Sequence, residues 1–502
     1  MSSNLLNFLA FDLGAESGRA MLGQFDGERL ALSEIHRFAN VPVALPDGLH
    51  WDVLRLWAEI KQGMALAARD HGADLAGLGL DTWGVDFALL DGAGELAANP
   101  HHYRDSRTDG MIEEAFRRVP RAAIFEQTGI QIMPINSLYQ LLSMVIGRSP
   151  ALDAARTFLT IPDLFNYWLT GRAACEFSNA TTTQCYNPRL SSPAGRGQVG
   201  GWARLLLGGL GIPTHIFPEI VPSGAVLGHL LPPVAEETGL SDLPVIAPAC
   251  HDTGSAVAAV PAAGPGFAWI SSGTWSVMGA ELPAPVINAR SLACNFTNEG
   301  GVCGAFRFSK NVMGLWLVQE CRRTWARQGE EYSYDDLTRM AAQAGPFQAV
   351  IDPDYGEFLK PGDMPARIRA FCRATGQAAP ESQGAIIRCL LEGIALKYRW
   401  VLERLEEMLG RRLDPIHIVG GGTQNRLLSQ FTADATGRRV VTGPVEATAA
   451  GNVVVQAMAL GHVASLDEGR AVVRNSFDVL TFEPGARSGW EEAYARLLAL
   501  IG

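Results

Sequence analysis

Four short stretches of this chain carry residue types suited to moving a phosphoryl group. FDLGAESGR (11–19), SSGTWSVMG (271–279) and HIVGGG (417–422) are glycine-bearing turns, and CHDTGS (250–255) sets one carboxylate, Asp252, between the first two. Glycine removes the Cβ that would hold a phosphate away from the backbone, so each turn can offer N–H groups to an anion. A lone carboxylate can take the proton of an acceptor hydroxyl. In this order the four read as transfer of phosphate from a nucleotide to an alcohol.

Each stretch also has a plainer reading. In the first turn, Asp12 at a strand end can hold Mg²⁺ through water while Ser17 and the turn amides meet phosphate oxygens and Arg19 adds a forked cation. A hairpin with a capping aspartate has the same composition. Asp252 opens a run of small residues with helical character, where the helix dipole keeps it ionised, or where it simply caps its own amides. His251 either orients a sugar or packs as a neutral ring. Thr274 offers a hydroxyl to a terminal phosphate, and VGGG at 419–422 leaves bare backbone for a base or ribose.

DTWGVDF (81–87) and YRDSRT (103–108) set polar groups beside aromatics, a composition that suits a polyol. The alternative is a salt-bridged loop in which Arg104 and Arg107 pair with Asp81, Asp86 or Asp105. NATTTQ (179–184) reads as a polar strand edge.

Strands and helices must position these groups. Leu5 to Phe11 and Gly18 to Phe25 read as strands about the first turn, with Leu30 to Arg37 a third. Trp51 to Asp70 has helical spacing, with Trp51, Leu54, Trp57, Ile60 and Met64 on one face, and Ala76 to Leu80 is a strand ending at Asp81. Near 243–280 the plan repeats: LPVIAPA is a strand, HDTGSAVAAV a small-residue helix and FAWISSGTWSVMGA a strand–turn–strand. That repetition points to an internal duplication of an α/β layered fold, with a boundary between about 250 and 262. Ile386 to Met408 forms a helical stripe ending at Gly410, PIHIVGGG is a buried strand entering a glycine turn, and 447–460 is a helix of small apolar residues. The Gly-, Ser- and Pro-rich stretch 188–201 reads as a mobile loop.

At 502 residues the chain exceeds what one hydrophobic core supports, so two domains are expected. A net charge of −11, with basic residues only in short pairs, leaves no stripe to neutralise nucleic-acid phosphates or an anionic membrane. The eight cysteines include no Cys-x-x-Cys pair and read as reduced core thiols. Residues 253–280 carry no charge after Asp252, but their prolines and small polar residues argue against a membrane span, and the expected compartment is the cytoplasm.

With these segments in view, the chain resembles the FGGY family of carbohydrate kinases, within the sugar kinase/heat-shock ATPase/actin superfamily. The resemblance runs from about Asn7 to Pro484 on FDLGAESGR, LDTWGVDFALLD, YRDSRTDGM, NATTTQ, HDTGSAV, SSGTWSVMG, NFTNEGG, KNVMGLWLVQE, HIVGGGTQN and GPVEATAAGN. It implies an α/β fold of two tandem ribonuclease-H-like (actin/hexokinase-superfamily) domains with an interdomain active-site cleft. Residues 1–255 would bind the sugar and carry the phosphate hairpin, and 256–502 would bind the nucleotide. The implied reaction is ATP-dependent phosphorylation of a ketose at its 1-hydroxyl, with DTWGVDF and KNVMGLW pointing to L-rhamnulose. Asp252 would be the proton acceptor. Gly84, His251, Thr253 and Asn311 would contact the sugar, as would Asp252 itself. Ala15, Glu16, Ser17, Gly18, Arg19, Thr274, Gln319 and Gly421 would contact ATP, and Asp12 would hold the shell of Mg²⁺. Glu16 would put an anion in a phosphate loop, so its carboxylate should point outward. The expected partners are the sugar and ATP alone, with no nucleic acid or membrane, in a monomer or small homo-oligomer. Another ketose kinase, such as one for L-fuculose, and an actin-like or chaperone-like ATPase without kinase activity are the alternatives.

Overall fold

The computed structural model describes residues 5–501 except 73, 74, 191–199, 241 and 486, so most of the 188–201 loop lies outside the described residues. The chain divides into two units. One comprises Met1–Ala259, Glu281–Phe308 and Ala447–Ser476; the other comprises Val260–Ala280, Ser309–Glu446 and Phe477–Gly502.

The first unit is built on a six-stranded sheet. β1 (Leu6–Leu13), β2 (Ser17–Phe25) and β3 (Leu30–Ala39) form an antiparallel meander. On its other side β1 runs parallel to Gly77–Thr82, which runs parallel to Pro244–Ala247, and Ala225–His229 closes the edge antiparallel. Phe8 through Phe11 have no exposed surface, as expected of a strand covered on both faces. One covering element is α1 (Val53–His71), whose buried stripe includes Val53, Leu56, Ile60, Met64 and Ala67. Asp52 caps it by accepting the Arg55 N–H at 3.1 Å, so Trp51 precedes the helix instead of lying on its face.

Helices Asp252–Ala258 and Ala447–Ala459 also belong to this unit and pack closely on each other. The approach depends on Gly451, where a Cβ would fall 1.8 Å from the Ser255 carbonyl oxygen. The NATTTQ stretch differs from its sequence reading. Phe177–Thr182 is a buried helix, because the Glu176 carboxylate accepts the N–H groups of Ser178 at 2.9 Å and Asn179 at 3.2 Å and so starts a helical turn.

The second unit repeats the plan at the start of the first. Ala268–Ser272 and Trp275–Leu282 form an antiparallel hairpin, and the first of these strands runs parallel to Ile416–Val419. Val440–Thr442 extends the sheet in parallel and Thr481–Phe482 ends it antiparallel. Helix Gln383–Leu409 matches the apolar stripe read from the sequence. Ser382 caps its start and Gly410, at φ +63°, ends it in the left-handed region. All eight cysteines are free and seven are buried. Among the described residues, no helix is long and apolar enough to cross a membrane.

Substituting Gly451→Ala should lower the urea midpoint and cost about 1–3 kcal/mol, the usual scale of overpacking. Unfolding followed by circular dichroism checks this, and a wild-type midpoint would contradict the helix contact described.

Candidate active site

Three neighbouring parallel strands of the first unit end beside one another, and their carboxyl ends collect three aspartates. Asp12 and Asp81 are register partners on β1 and Gly77–Thr82. The Thr82 N–H donates to the Cys250 carbonyl at 2.9 Å, and Thr82 pairs with His251, which places Asp252 next in line. Ligands of open α/β sheets bind at such carboxyl ends. Asp12 faces Arg19, its cross-strand partner on β2, and accepts from that guanidinium at 2.6 Å. Asp81 has no exposed surface. Its Oδ2 accepts from Asn452 Nδ2 at 2.6 Å, while among the described residues Oδ1 has no hydrogen-bond partner. Burial, then the charge of Asp12, and further the charge of Asp252 hold the Asp81 pKa well above the carboxylate range; Asn452 opposes the shift. These hard oxygen donors, one of them unpartnered and buried, are of the kind Mg²⁺ accepts.

At the rest of the hairpin, the Gly14 N–H donates to the Ser17 carbonyl at 2.9 Å, Ala15 and Ser17 are half-buried, and Glu16 is exposed. Gly18 lies within β2, and a Cβ there would strike the Phe38 ring at 2.2 Å, so packing alone demands glycine at this position.

Asp252 is the first residue of its helix and its side chain is 30% exposed. Its Oδ1 accepts from the backbone N–H of Thr253 and, at 3.1 Å, from the Thr253 hydroxyl; among the described residues no hydrogen bond reaches Oδ2. His251 Nε2 lies 3.3 Å from Asp252 Oδ1. On its other side, His251 Nδ1 lies 2.9 Å from an Arg307 nitrogen and 3.3 Å from Glu299 Oε2. A guanidinium only donates, so the shorter contact calls for a lone pair on Nδ1 and a proton on Nε2, facing Asp252, whereas the longer Glu299 contact calls for a proton on Nδ1. Arg307 is fully buried. It donates to the Gly300 carbonyl at 2.8 Å and lies 3.2 Å from Glu299. Burial works to raise the Glu299 pKa, but the His251 contact and the Arg307 charge outweigh it and leave the carboxyl below its ordinary value.

Beneath this row, buried Glu176 also accepts from the hydroxyls of Ser178 and Ser223, each at 2.5 Å, and from the Cys250 N–H at 3.0 Å. The Ser178 hydroxyl in turn accepts the His251 N–H at 3.0 Å. The backbone just ahead of Asp252 is therefore held by side chains on two sides.

Gly84 and Val85 follow the Gly77–Thr82 strand. Val85 adopts φ +70°, costly for a β-branched residue at about 1–3 kcal/mol. Its N–H donates to the Thr182 hydroxyl at 3.0 Å, and its carbonyl accepts from Ser137 Oγ and from Gln140 Nε2. Next to it, fully buried Asp86 accepts from Trp51 Nε1 at 2.6 Å, Trp83 Nε1 at 2.9 Å and Gln140 Nε2 at 2.9 Å. Burial raises its pKa to about 6 against the pull of these donors and of Arg107. Arg107 reaches this carboxylate through Gln140, whose Oε1 accepts from the guanidinium at 2.7 Å, and Arg104 stacks over the Tyr103 ring. Trp51 packs on Trp83 and on His102 with ring centroids 4.0 and 4.1 Å apart. The aromatics thus cover one another instead of forming the open stacking surface that their composition suggests.

In the second unit, Thr274 is half-buried at the hairpin turn and its hydroxyl accepts from Gln319 Nε2 at 3.3 Å. Gln319 Oε1 is buried, with no hydrogen-bond partner among the described residues. Gly421 is exposed, with open space where a Cβ would stand, while Gly422 leaves room for Ser272. Asn311 lies half-buried in the strand Phe306–Met313.

Roles for Glu299, Arg307, Glu176 and Asn452 were missed in the sequence. For two of them a signal was present: Glu299 and Arg307 stand within strands, Thr297–Gly300 and Phe306–Met313, where a charged residue is buried only when paired.

Comparison with known proteins gives the family and the fold. The model of the FGGY family of carbohydrate kinases, N-terminal domain, matches residues 7–259, and that of its C-terminal domain matches 268–460. A rhamnulokinase of Bacteroides thetaiotaomicron is 43% identical over 488 residues, 97% of this chain and 98% of that protein. One from Oceanobacillus iheyensis is 39% identical, covering 94% of this chain and 97% of its own. Among solved structures, gluconate kinase from Lactobacillus acidophilus superposes with a TM-score of 0.80 at 15% identity, covering 99% of this chain and 98% of that one. Plasmodium falciparum glycerol kinase with ADP gives 0.77, also at 15% identity and the same coverage. At such identity the structures establish the two-domain fold alone.

The Asp86 pKa gives a pH prediction. Its folded value of about 6 lies above its ordinary value of 3.8, so the folded state holds the proton longer, and the stability it contributes is lost as pH rises from about 4 to 6. Asp86→Asn should flatten this part of the melting-temperature profile between pH 4 and 7. A slope unchanged from wild type would mean that Asp86 titrates normally.

Proposed function

The chain belongs to the FGGY family of carbohydrate kinases, and on that premise we propose that it transfers the γ-phosphate of ATP to the 1-hydroxyl of L-rhamnulose, giving L-rhamnulose 1-phosphate and ADP. The observation that carries the reading is the row Arg307–Glu299–His251–Asp252, which ends on a partly exposed carboxylate where three parallel strands stop. The rhamnulokinases at 39–43% identity over nearly the whole chain favour this sugar over L-fuculose, and membership in a carbohydrate kinase family sets aside a chaperone-like ATPase.

In this reading Asp252 accepts the proton as the sugar oxygen attacks the γ-phosphorus in line. The His251 Nε2–H fixes the carboxylate and, with Gly84, Thr253 and Asn311, orients the sugar. The hairpin residues Ala15, Glu16, Ser17, Gly18 and Arg19, together with Thr274, Gln319 and Gly421, contact ATP. The unpartnered Gln319 Oε1 and the open space at Gly421 support the last two. Asp12, with Asp81 beside it, would hold Mg²⁺, which when bound neutralises charge on the phosphates. Residues 1–255 are assigned to the sugar and hairpin, and 256–502 to the nucleotide. The working form is a cytoplasmic monomer or small homo-oligomer without nucleic-acid or membrane partners.

Asp252→Asn should keep sugar and ATP affinity by calorimetry while losing turnover by about 10²–10⁴-fold. Near-normal turnover would remove Asp252 from the role. A coupled ADP-release assay across L-rhamnulose, L-fuculose and other ketoses should favour the first, and equal rates on several would defeat the assignment of the sugar.

A further inference from the structure

On the first unit, away from the aspartates at the strand ends, a second set of side chains has the composition of a metal site. Asp47 lies in the two-residue turn between Val43–Leu45 and Gly48–His50, and His101 lies opposite His50 in an antiparallel bridge. We propose that Asp47, His50 and His101 bind one first-row divalent transition metal of the Zn²⁺ or Co²⁺ class.

The backbone fixes the two histidines before any ion arrives. The His102 N–H donates to the Leu49 carbonyl at 2.8 Å and the Trp51 N–H to the Pro100 carbonyl at 2.9 Å, so the bridge is tied on both sides. The turn is clamped as well. Asp105 Oδ2 accepts the Leu49 N–H at 2.7 Å, and a Cβ on Gly48, at φ +142°, would fall 2.6 Å from that same oxygen.

His50 is 3% exposed, and its Nδ1 lies 3.1 Å from the Asn99 carbonyl oxygen. A carbonyl only accepts, so Nδ1 carries the proton, as in metal-bound histidines whose outer nitrogen donates to a backbone carbonyl. That leaves the Nε2 lone pair 3.1 Å from Asp47 Oδ1, one acceptor facing another. Only a second proton on the ring or a cation between them resolves the contact. The His101 ring stacks on His50 with centroids 4.0 Å apart, and one donor atom from each of the three residues lies within 4.8 Å of the others. Donors on one Zn²⁺ at about 2.0–2.1 Å stand roughly 3.3 Å apart, so a small side-chain adjustment closes the set. Two imidazoles and one carboxylate suit Zn²⁺ or Co²⁺ and disfavour Mg²⁺, which takes oxygen. Trp51 and His102 directly follow the two histidines, so a bound ion would pin the hairpin to the aromatic packing around Asp86.

The test is equilibrium dialysis of the full chain against Zn²⁺ with metal analysis, repeated with Co²⁺ for its visible d–d bands. The comparison set is wild type, Asp47→Ala and His101→Ala. Asp47 is an exposed turn residue, so its replacement leaves the fold intact even if His101→Ala does not. Asp47→Ala should weaken the site by about tenfold or more and dim the Co²⁺ bands, since even outer partners of a metal site cost 10–100-fold. Zn²⁺ should also raise the wild-type melting temperature more than that of Asp47→Ala. Equal metal content and equal Co²⁺ spectra in wild type and Asp47→Ala would overturn the proposal, as would a wild type that binds neither metal. Either result would leave His50 and Asp47 as an imidazolium–carboxylate pair.

Discussion

A buried aspartate with aspartates for neighbours constrains the first unit. Asp81 has no access to water, stands in register with Asp12, and feels the charge of Asp252. Carboxylates so placed cannot all remain ionised without partners. Arg19 meets Asp12 across the β1–β2 hairpin, and Asn452 meets Asp81. Asn452 lies more than 370 residues further along the chain, on Ala447–Ala459. To reach it, that helix must lie close against the sheet. Gly79 has no room for a Cβ, which would fall 2.4 Å from Asn452 Oδ1, and Gly451 has none against Ser255. Gln456 on the same helix holds Asn452 by donating to its Oδ1 at 2.8 Å, and it also reaches the Leu9 carbonyl. The return of 447–476 to the first unit thus follows from the need to satisfy one buried acid.

The row ending at Asp252 meets the same need with opposite charges. Arg307 is fully buried, and an unpaired buried guanidinium would be prohibitive. Glu299 balances it, and both groups face Nδ1 of His251. Segment 281–308 supplies both charges, and it belongs to the first unit although it lies beyond the first domain in sequence.

Much of this was legible in the residues. The strand–turn–strand at 5–25 and its counterpart at 268–282 were readable because apolar runs flank polar turns, and the helix 383–409 because its stripe is long and ends at glycine. NATTTQ was misread because its hydroxyls and amide suit a strand edge equally well; the Glu176 carboxylate decides for helix, and its other donors are remote in sequence. The polar–aromatic clusters at 81–87 and 103–108 left two arrangements open, a polyol surface and a salt-bridged loop. Composition does not say whether a tryptophan stacks on a sugar or donates its indole N–H to a buried aspartate. A partner such as Asn452 was invisible because pairing across hundreds of residues leaves no local pattern.

The surroundings of the four aspartates near the strand ends also separate their possible roles. A general base must be ionised, reachable, and have a lone pair to spare. Asp86 fails on access: it is fully buried and its oxygens accept from two indoles and an amide. Asp81 fails on charge, since burial and its neighbours favour the protonated form, which cannot accept another proton. Asp12 is 5% exposed and engaged by Arg19, an arrangement suited to holding a cation beside phosphates. Asp252 alone of the four combines partial exposure with an oxygen that no described residue engages, and the His251 proton steadies the other oxygen without neutralising it. The same strand ends therefore supply a buried acid, an arginine-paired carboxylate and an available base, and what distinguishes them is the partner that each neighbouring segment brings.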